Sequence, residues 1–339
     1  MKNITIILIS ILFFSSCEKL MFEEKKESIN PQENFEYLWK QCDEKYSYFD
    51  VKNINWADIH TEYNSKIFDG MSEDSLFKVL GGMLNELRDD HTNLISSLNI
   101  SQFGVYNYGQ DNFDWRIVKD NYLPKDIYSS GPFSHEFLIG QNNEIGYIRF
   151  PEFTGTVSDV NLDFILNRYK NTKGLILDLR ENGGGAVTDV FQILSRFVET
   201  ETTVYYSRYK TGPKHNEFSD PEPSIVKPFD GIRYTNKVAV LIDRGTFSAG
   251  SFTSLATKAI PNLILIGDTT GGGLGLPNGG QLPNAWTYRF STTQALTLDK
   301  KPDYEQGVPP DVAALFDWSD LSKDEVIEIA ISELNKVKN

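Results

Sequence analysis

The sequence predicts an α/β fold preceded by a small helical region, and three features of the chain carry that prediction. From residue 145 onward, short apolar runs such as 174–179 are uninterrupted, as is typical of parallel strands that are covered on both faces. Stretches with apolar residues at helical spacing follow most of these runs, so strands and helices alternate. Ahead of them, 33–49 and 73–88 show helical spacing alone. We therefore place a helical region at 33–100 and an α/β core at 101–339.

Two amphipathic helices are predicted in the helical region, with Trp56 in the connection between them. Ser72 stands directly before the second helix, where its hydroxyl would accept a hydrogen bond from a free backbone N–H. Cys42 is in register with the apolar residues of the first helix, so we expect it to pack rather than to react. From 100 to 143 the chain is rich in Gly, Asn, Asp, Tyr and Phe, which indicates irregular strands with loops.

In the core, apolar runs predict four strands, at 145–150, 174–179, 238–242 and 263–266. A helix predicted at 158–171 should turn its apolar residues inward, among them Val160, Phe164, Ile165 and Tyr169. Glycine-rich turns come after two of the strands, at 183–185 and 267–275. Their free backbone N–H groups at a strand end are what the binding of an oxyanion needs. Neither turn contains the G-x-x-x-x-G-K-[ST] motif, and the second does not lead into a helix, so neither indicates a nucleotide site.

The first residues have the features of a targeting segment and are left out of the fold prediction. Lys2 supplies a positive charge, and the apolar run at 4–14 is too short to cross a bilayer as a helix of the mature protein. The run ends in Phe-Ser-Ser-Cys17, and small residues directly before a cysteine resemble the lipobox of bacterial lipoproteins. The resemblance implies that 1–16 is a signal peptide and that a lipidated Cys17 becomes the N-terminus. An ordinary secretory signal with a chance cysteine is the alternative.

The charged residues at 17–32 are expected to form a flexible tether between the lipid and the folded body. The protein is then expected in the bacterial cell envelope, anchored to a membrane through Cys17 and facing the periplasm or the cell surface. Which leaflet holds the lipid stays open.

Composition excludes several classes of function. Lys and Arg number 33 against 47 Asp and Glu, a net charge of −14, and the acidic residues are spread along the chain. Nucleic-acid binding needs clustered Lys and Arg, so we expect no nucleic-acid partner. With Cys17 lipidated only Cys42 remains, and no internal disulfide is possible. The chain has no H-x-x-x-H motif and no cysteine pair, so we expect neither a metal site nor a cofactor. The oligomeric state stays open.

The clearest candidate for chemistry is Ser248, in the stretch Gly-Thr-Phe-Ser-Ala-Gly-Ser at 245–251. An apolar run precedes this stretch and helical spacing follows it, so the serine is predicted on a tight turn at the carboxyl end of a strand. There the N–H of Ala249 and the positive end of the helix would stabilise an oxyanion. The alternative is that Ser248 only caps the helix, as many serines in this position do.

His91 is the candidate base. It stands where the second helix is predicted to end, in Leu-Arg-Asp-Asp-His-Thr at 87–92, and its polar neighbours suit a positioned imidazole. A lone histidine is more often a surface or core residue, so this stretch does not establish a role without the others.

Four stretches, in this order, resemble the C-terminal-processing (tail-specific) serine peptidase family. They are Leu-Arg-Asp-Asp-His-Thr at 87–92, Asp-Leu-Arg-Glu-Asn-Gly-Gly-Gly at 178–185, Ser-Ala-Gly-Ser at 248–251, and Glu-Gln-Gly-Val-Pro-Pro-Asp at 305–311. The resemblance covers nearly all of the chain from about residue 35. It implies a crotonase/ClpP-like ββα core with a small N-terminal helical domain. The interval from 94 to 145 is too short for the PDZ domain of many relatives, so recognition of a substrate's C-terminus does not follow.

The family has two branches that differ in the catalytic base. Many members use a Ser-Lys dyad, but position 273, 25 residues after the serine, is glycine in this chain. Lys258 is closer in sequence, yet it would lie two to three turns along the helix and point away. The other branch, typified by the core of tricorn protease, has a serine next to its histidine, where this chain has Asp90. That branch uses Ser, His and Glu, and the matching residues here are Ser248, His91 and Glu305.

The resemblance therefore implies a serine endopeptidase that acts on peptide or protein substrates through an acyl-enzyme. Ser248 would be the nucleophile, His91 the general base and Glu305 the acid that orients the imidazole. The oxyanion would be held by backbone N–H groups, those of Ala249 and of Gly184 or Gly185. Two other functions suit the same fold: a non-catalytic protein that binds an apolar ligand or a peptide, as retinoid-binding repeats do, and a hydrolase of non-peptide esters.

Overall fold

The computed structural model describes residues 27–104 and 109–336. The predicted signal peptide, Cys17 and most of the tether lie outside these residues. Among the helices of the described part, none is long and apolar enough to cross a membrane. These helices are α1 (Pro31–Lys45), α2 (Phe49–Lys52), α3 (Trp56–Asn64), α4 (Glu73–Asn85), α5 (Trp115–Tyr122), α6 (Asp159–Tyr169), α7 (Val187–Leu194), α8 (Ala249–Thr257) and α9 (Glu325–Asn335).

The described strands form three sheets. In chain order they are β1 (Asn93–Ile95), β2 (Ile100–Gln102), β3 (Tyr128–Ser130), β4 (Phe133–Phe137), β5 (Ile145–Arg149), β6 (Gly174–Asp178), β7 (Thr202–Tyr209), β8 (Glu222–Val226), β9 (Lys237–Ile242), β10 (Leu263–Gly267), β11 (Pro277–Gln281), β12 (Thr287–Ser291), β13 (Thr293–Leu296) and β14 (Val312–Ala313).

A seven-stranded sheet forms the centre of the core, with the strand order β14-β10-β9-β6-β5-β4-β3. Five of these strands, β14, β10, β9, β6 and β5, pair in parallel. At the other edge β4 and β3 pair antiparallel. β6 and β9 lie side by side in the middle, with Leu177 opposite Val240. Their carboxyl ends therefore meet, and the loops that carry 183–185 and Ser248 both leave the sheet at this point.

Both faces of this sheet are covered, which is why its strands are uninterrupted apolar runs. Successive side chains of a strand point to opposite faces. Leu175 and Leu177 accordingly pack in one cluster with α6, α7 and α8, whereas Ile176 packs in another with α5 and α9. All residues of α8 are buried, so the turn that precedes Ala249 is anchored by the core.

The N-terminal helices pack against a second sheet, with the strand order β11-β12-β1-β2. Its hydrophobic cluster joins Phe35, Trp56 and Leu80 of the helices to Tyr288 and Phe290 of β12. The N-terminal layer is therefore built from both halves of the chain. Because β1 pairs with β12, the loop between α4 and β1 is held against the core. The third sheet has the order β13-β7-β8.

The predicted α/β class with an N-terminal helical region is confirmed, and so are the four core strands. The Ser72 cap is confirmed as well, since its side chain accepts a hydrogen bond from the N–H of Ser75. Cys42 is fully buried and packs in the N-terminal cluster, as predicted.

Several local predictions are wrong. The first helix ends at Lys45, because Tyr46 takes an extended conformation. Trp56 does not lie in a connection but begins α3, which the Asn55 side chain caps. The stretch predicted as strands and loops contains α5. Val160 and Phe164 are 77% and 48% exposed. Ile165 and Tyr169 are buried as predicted, and Leu162 and Leu166 complete the buried side of α6.

Candidate active site

Ser248 lies on the turn between β9 and α8. Its φ of 53° and ψ of −117° are values that residues with a side chain rarely adopt, at a cost on the order of 1–3 kcal/mol. Hydrogen bonds hold the turn: the N–H of Ser248 donates to the Gly272 carbonyl, and the N–H of Thr246 donates to Asp243 Oδ1, both at 3.0 Å. Ser248 stands at the N-cap position of α8, yet its side chain makes no capping hydrogen bond. The hydroxyl is directed elsewhere.

The hydroxyl of Ser248 contacts His91, with Oγ 2.9 Å from Nε2. His91 lies on the loop between α4 and β1 and is only 5% exposed. Its N–H donates to Asp89 Oδ1 at 2.9 Å, and its carbonyl accepts from Arg289 Nε at 3.2 Å. The ring of Phe247 packs against the imidazole, with 4.8 Å between the ring centroids. The imidazole is therefore held in place on several sides.

Burial holds the pKa of His91 below its ordinary value of 6.5, because an imidazolium ion is poorly solvated there. The positive charges of Arg289 and Lys52 add to this lowering, whereas the Asp89 carboxylate and the Gly275 carbonyl oppose it. Nδ1 is buried and makes no contact with hydrogen-bond geometry within the described residues. At neutral pH the imidazole is therefore uncharged, and Nε2 is able to accept the proton of the serine hydroxyl.

Glu305 is buried near this pair but does not bind it. Its Oε2 accepts the N–H of Leu274 at 2.8 Å, and its Oε1 lies 3.4 Å from Lys52 Nζ. Among the described residues, no carboxylate forms an ion pair with His91 within 4.0 Å. Burial raises the pKa of Glu305 to about 7, although Lys52 opposes the rise. The predicted third member of the triad therefore makes no direct contact with the imidazole.

Two residues that lie between Glu305 and His91 were not predicted from the sequence. The Nζ atom of Lys52 lies 3.4 Å from Glu305 Oε1 and 4.0 Å from Asp89 Oδ2, and all three side chains are buried. Lys52 follows Phe49 by three residues, which puts it on the apolar side of its helix. A lysine in such a register is a signal that could have found it, because a buried ammonium group needs a charged partner. For Asp89, the sequence indicated only that it is one of two acidic residues beside His91, and no separate role was predicted.

The backbone N–H groups of Ala249, which follows Ser248, and of Gly185, in the loop that packs against this turn, donate no hydrogen bond within the described part of the chain. The N–H of Gly184, in contrast, already donates to Asn182 Oδ1 at 2.9 Å. Gly184 has a φ of 96°, and a Cβ added there would come within 2.7 Å of the Ser248 side chain. Of the predicted donors, Ala249 and Gly185 are thus available to an oxyanion, and Gly184 allows the close packing that brings them together.

The two lysine positions considered from the sequence do not supply a base. A Cβ at Gly273 would lie 2.4 Å from the ring of Phe247, so the space for a longer side chain is filled. Lys258 points away from the turn and binds Asp311 at 2.9 Å. Asp90, which stands where the Ser-His-Glu relatives have a serine, accepts a hydrogen bond from a backbone N–H at 2.8 Å.

A cavity of about 230 Å³ opens beside Phe247 and Glu305, and Lys52 and Asp89 also line it. Its lining combines the aromatic rings of Phe103 and Phe247 with charged groups that include Arg88 and Arg244. A group bound in this cavity would therefore meet both apolar and charged surface. Within residues 27–104 and 109–336, no group of three or more His, Cys, Asp or Glu side chains is arranged to hold a metal ion.

Comparison with known proteins shows which family the chain resembles over most of its length. Residues 144–314 match the family model described as Peptidase family S41, and residues 30–85 match that of the Tricorn protease C1 domain. The crystal structure of a candidate peptidase from Parabacteroides merdae is 37% identical to this chain. The superposition covers 91% of this chain and 98% of that one, with a TM-score of 0.86.

Two curated proteins match a smaller part of the chain. The carboxy-terminal processing protease CtpA of Bacillus subtilis is 27% identical over 207 residues, which is 61% of this chain and 41% of its own length. The nisin-resistance protein of Lactococcus lactis is 31% identical over 135 residues, which is 37% of this chain and 42% of its own length. The match thus spans less than half the length of either relative.

Proposed function

The chain belongs to peptidase family S41, and on this basis we propose that it is a serine endopeptidase whose nucleophile is Ser248. The observation that carries the proposal is the 2.9 Å contact between Ser248 Oγ and His91 Nε2 on a strained turn. Strain of this kind persists only where the surrounding structure holds it, and it clusters at functional sites. A serine that served only as a cap would direct its hydroxyl to the N–H groups of its own helix.

In the proposed reaction, His91 Nε2 takes the hydroxyl proton while Ser248 Oγ attacks the carbonyl carbon of the scissile peptide bond. The carbonyl oxygen becomes an oxyanion and accepts hydrogen bonds from the N–H groups of Ala249 and Gly185. The imidazolium then gives its proton to the leaving amine, and an acyl-enzyme remains on Ser248. Water attacks this ester by the same route and restores the serine.

Glu305 takes the third role in this proposal, the stabilisation of the imidazolium form of His91. It acts through Lys52 and Asp89 rather than by a direct bond, because its oxygens are engaged by Lys52 and by the N–H of Leu274. With a pKa of about 7, Glu305 gains negative charge as the pH rises through neutrality. That charge favours a protonated imidazole during the reaction.

Peptides or proteins are the proposed substrates, by analogy with the processing protease that the chain matches in part. If Cys17 is lipidated, as the sequence predicts, the enzyme would act on them at the bacterial cell envelope, on one face of a membrane.

Labelling with a fluorophosphonate probe, together with hydrolysis of a panel of peptides and esters, tests this function. Wild-type protein should be labelled on Ser248. Ser248→Ala, His91→Ala and the double variant should lose similar amounts of hydrolysis, because removing the nucleophile or its base disables the same step. His60→Ala is the matched control, since His60 pairs with Glu36 in the N-terminal layer. This variant should hydrolyse the substrates at the wild-type rate.

Folding of each variant is checked by circular dichroism before its activity is compared. Folded wild-type protein that takes up no probe and hydrolyses nothing would contradict the proposal and favour a binding protein. Hydrolysis of esters without hydrolysis of any peptide would favour a non-peptide hydrolase. Wild-type turnover in His91→Ala would mean that the base is misassigned.

A further inference from the structure

A buried lysine that the proposed reaction does not use directly lines the cavity beside Phe247. Lys52 is the last residue of α2, and its side chain is only 2% exposed. Its Nζ donates to the Arg88 carbonyl at 3.0 Å and lies 3.4 Å from Glu305 Oε1 and 4.0 Å from Asp89 Oδ2. A single ammonium group thus joins two carboxylates that belong to loops far apart in the chain.

Packing alone does not account for a lysine at this position. Removing an ammonium group from water is unfavourable, and a buried ion pair is often no more stabilising than apolar side chains of the same volume. The rings of Tyr46 and Tyr48 lie 5.9 and 5.8 Å from Nζ, so a methionine would find apolar neighbours there. The charge itself is therefore what distinguishes Lys52 from an apolar residue that would fill the same space.

The position of Asp89 relates this charge to His91. One carboxylate oxygen, Oδ1, accepts the N–H of His91 at 2.9 Å. The other, Oδ2, is buried without a hydrogen bond in the described part of the chain, and Lys52 is the cation 4.0 Å from it. Asp89 therefore holds the His91 backbone with one oxygen and faces Lys52 with the other.

We propose, on the basis of the function proposed above, that Lys52 is a positioning residue whose ammonium group holds the carboxylates of Asp89 and Glu305 in place behind His91. Lys52 touches neither the nucleophile nor the base. It acts on the imidazole through Asp89, and it keeps two buried negative charges from repelling each other. A lysine from the N-terminal layer thereby becomes part of the active site of the core.

The proposal has an electrostatic signature, because Lys52 and Asp89 act on the imidazole with opposite sign. The cation disfavours a second positive charge on the ring, and the carboxylate favours it. Other charged or titratable groups around His91 remain in place when either is replaced. They are Arg88 and Asp90 on its own loop, Arg289 on β12, Tyr46 and Tyr48 next to α2, and Glu305.

The test is an NMR titration of the imidazole of His91, assigned with a His91→Gln variant, in parallel with the pH dependence of kcat/KM. In Lys52→Met the midpoint of the His91 titration and the acid limb of the kcat/KM profile should both move to higher pH, by about one unit for the loss of one nearby positive charge. In Asp89→Asn, where the amide oxygen still accepts the His91 N–H, both should move to lower pH. Lys52→Arg keeps the charge and should leave both near the wild-type pH.

Lys78→Met is the matched control, since Lys78 pairs with Asp74 on the surface and its side chain is 71% exposed. It should change neither readout. If Lys52→Met does not fold, the variant Lys52→Met with Glu305→Gln replaces it, because it removes the cation together with one of the two carboxylates. The same upward shift is expected there, since Glu305 is mostly protonated below a pKa of about 7 in any case.

A His91 titration that stays at the wild-type pH in folded Lys52→Met, or that moves in the same direction in Asp89→Asn, would overturn the proposal. Because the titration is read without substrate, it decides the role of Lys52 even if no hydrolysis is found. Absence of labelling and hydrolysis in wild-type protein would instead refute the proposed function.

Discussion

Replacing Glu305 by glutamine should make the protein more stable above neutral pH and leave its stability nearly unchanged below the ordinary pKa of glutamic acid, 4.5. Glutamine has the shape of a protonated glutamic acid, and its amide oxygen is able to accept the N–H of Leu274 as Oε2 does at 2.8 Å. The variant therefore removes the ionisation of Glu305 and little else. This isolates the free-energy cost of placing a charge in that buried position.

The magnitude follows from the pKa of Glu305, which burial raises from 4.5 to about 7. An acid whose pKa is raised in the folded state contributes stability that is fully present below its unfolded pKa and is lost as the pH rises through its folded pKa. The window for Glu305 is thus about 4.5 to 7. The difference in pKa corresponds to about 3 kcal/mol at most, since one unit is worth about 1.4 kcal/mol. Lys52 reduces the gain from glutamine, because it loses a charged partner.

Urea unfolding of wild-type protein and Glu305→Gln, compared at about pH 4 and about pH 8, measures this difference. The free energies of unfolding should agree at the lower pH and diverge in favour of the variant at the higher one. Glu62→Gln, on the exposed side of α3 in a pair with Lys66, is the matched control. It should show no such divergence.

The outcome distinguishes two accounts of the site. If the ion pair with Lys52 outweighed burial, the pKa of Glu305 would be lowered, and Glu305→Gln would become less stable than wild type as the pH rises. That result, or a difference that does not depend on pH, would refute the reasoning.

Three further predictions concern single positions. Gly184→Ala should lower kcat by about 10²-fold or more, because a Cβ there would meet the Ser248 side chain, whereas Gly183→Ala, with open space around it, should keep wild-type kinetics. Lys258→Ala should leave kcat/KM nearly unchanged in folded protein, since the lysine binds Asp311 away from the turn; a loss as large as that of Ser248→Ala would show that the base is misassigned. Mass spectrometry of membrane-extracted protein should find lipid on an N-terminal Cys17, and an unmodified thiol there would contradict the lipobox prediction.

The parts of the fold that the sequence predicted well are those where one physical requirement dominates. Parallel strands covered on both faces must be apolar throughout, so β6 and β9 were recognisable from 174–179 and 238–242. A serine on a tight turn after such a strand is constrained by the same pattern. The pairing of Ser248 with His91, in contrast, was predicted only from motifs of a family, because 157 residues separate them.

Local errors arose where two requirements compete. In α6, apolar residues occur on more than one side of the helix, so spacing alone does not decide which side faces the sheet. Val160 is left in solvent, while Phe164 packs its ring against Tyr128 of the edge strand β3 and His135 of β4 beside it. The contact partners of Phe164 come from elsewhere in the sequence, and no local pattern shows them.

Lys52 escaped prediction for a related reason. A lysine in a short amphipathic helix is normally solvated, and the register after Phe49 is a weak signal in a helix of four residues. What makes Lys52 special is the convergence of Asp89 and Glu305 on its ammonium group, and these come from separate loops. Burial of charge is a property of the assembled site, so it becomes visible only once the N-terminal layer and the core are in contact.

The absence of a lysine at position 273 also has a physical meaning that the sequence alone did not show. The ring of Phe247 occupies the space that a side chain at Gly273 would need, since an added Cβ would lie 2.4 Å from it. The same ring packs against the imidazole of His91 at 4.8 Å. A lysine at 273 would have to displace Phe247, and displacing Phe247 would remove a wall of the histidine's pocket. The residue at 273 therefore depends on Phe247, and Phe247 in turn supports His91. Substituting lysine for Gly273 alone would not convert this site into a Ser-Lys dyad.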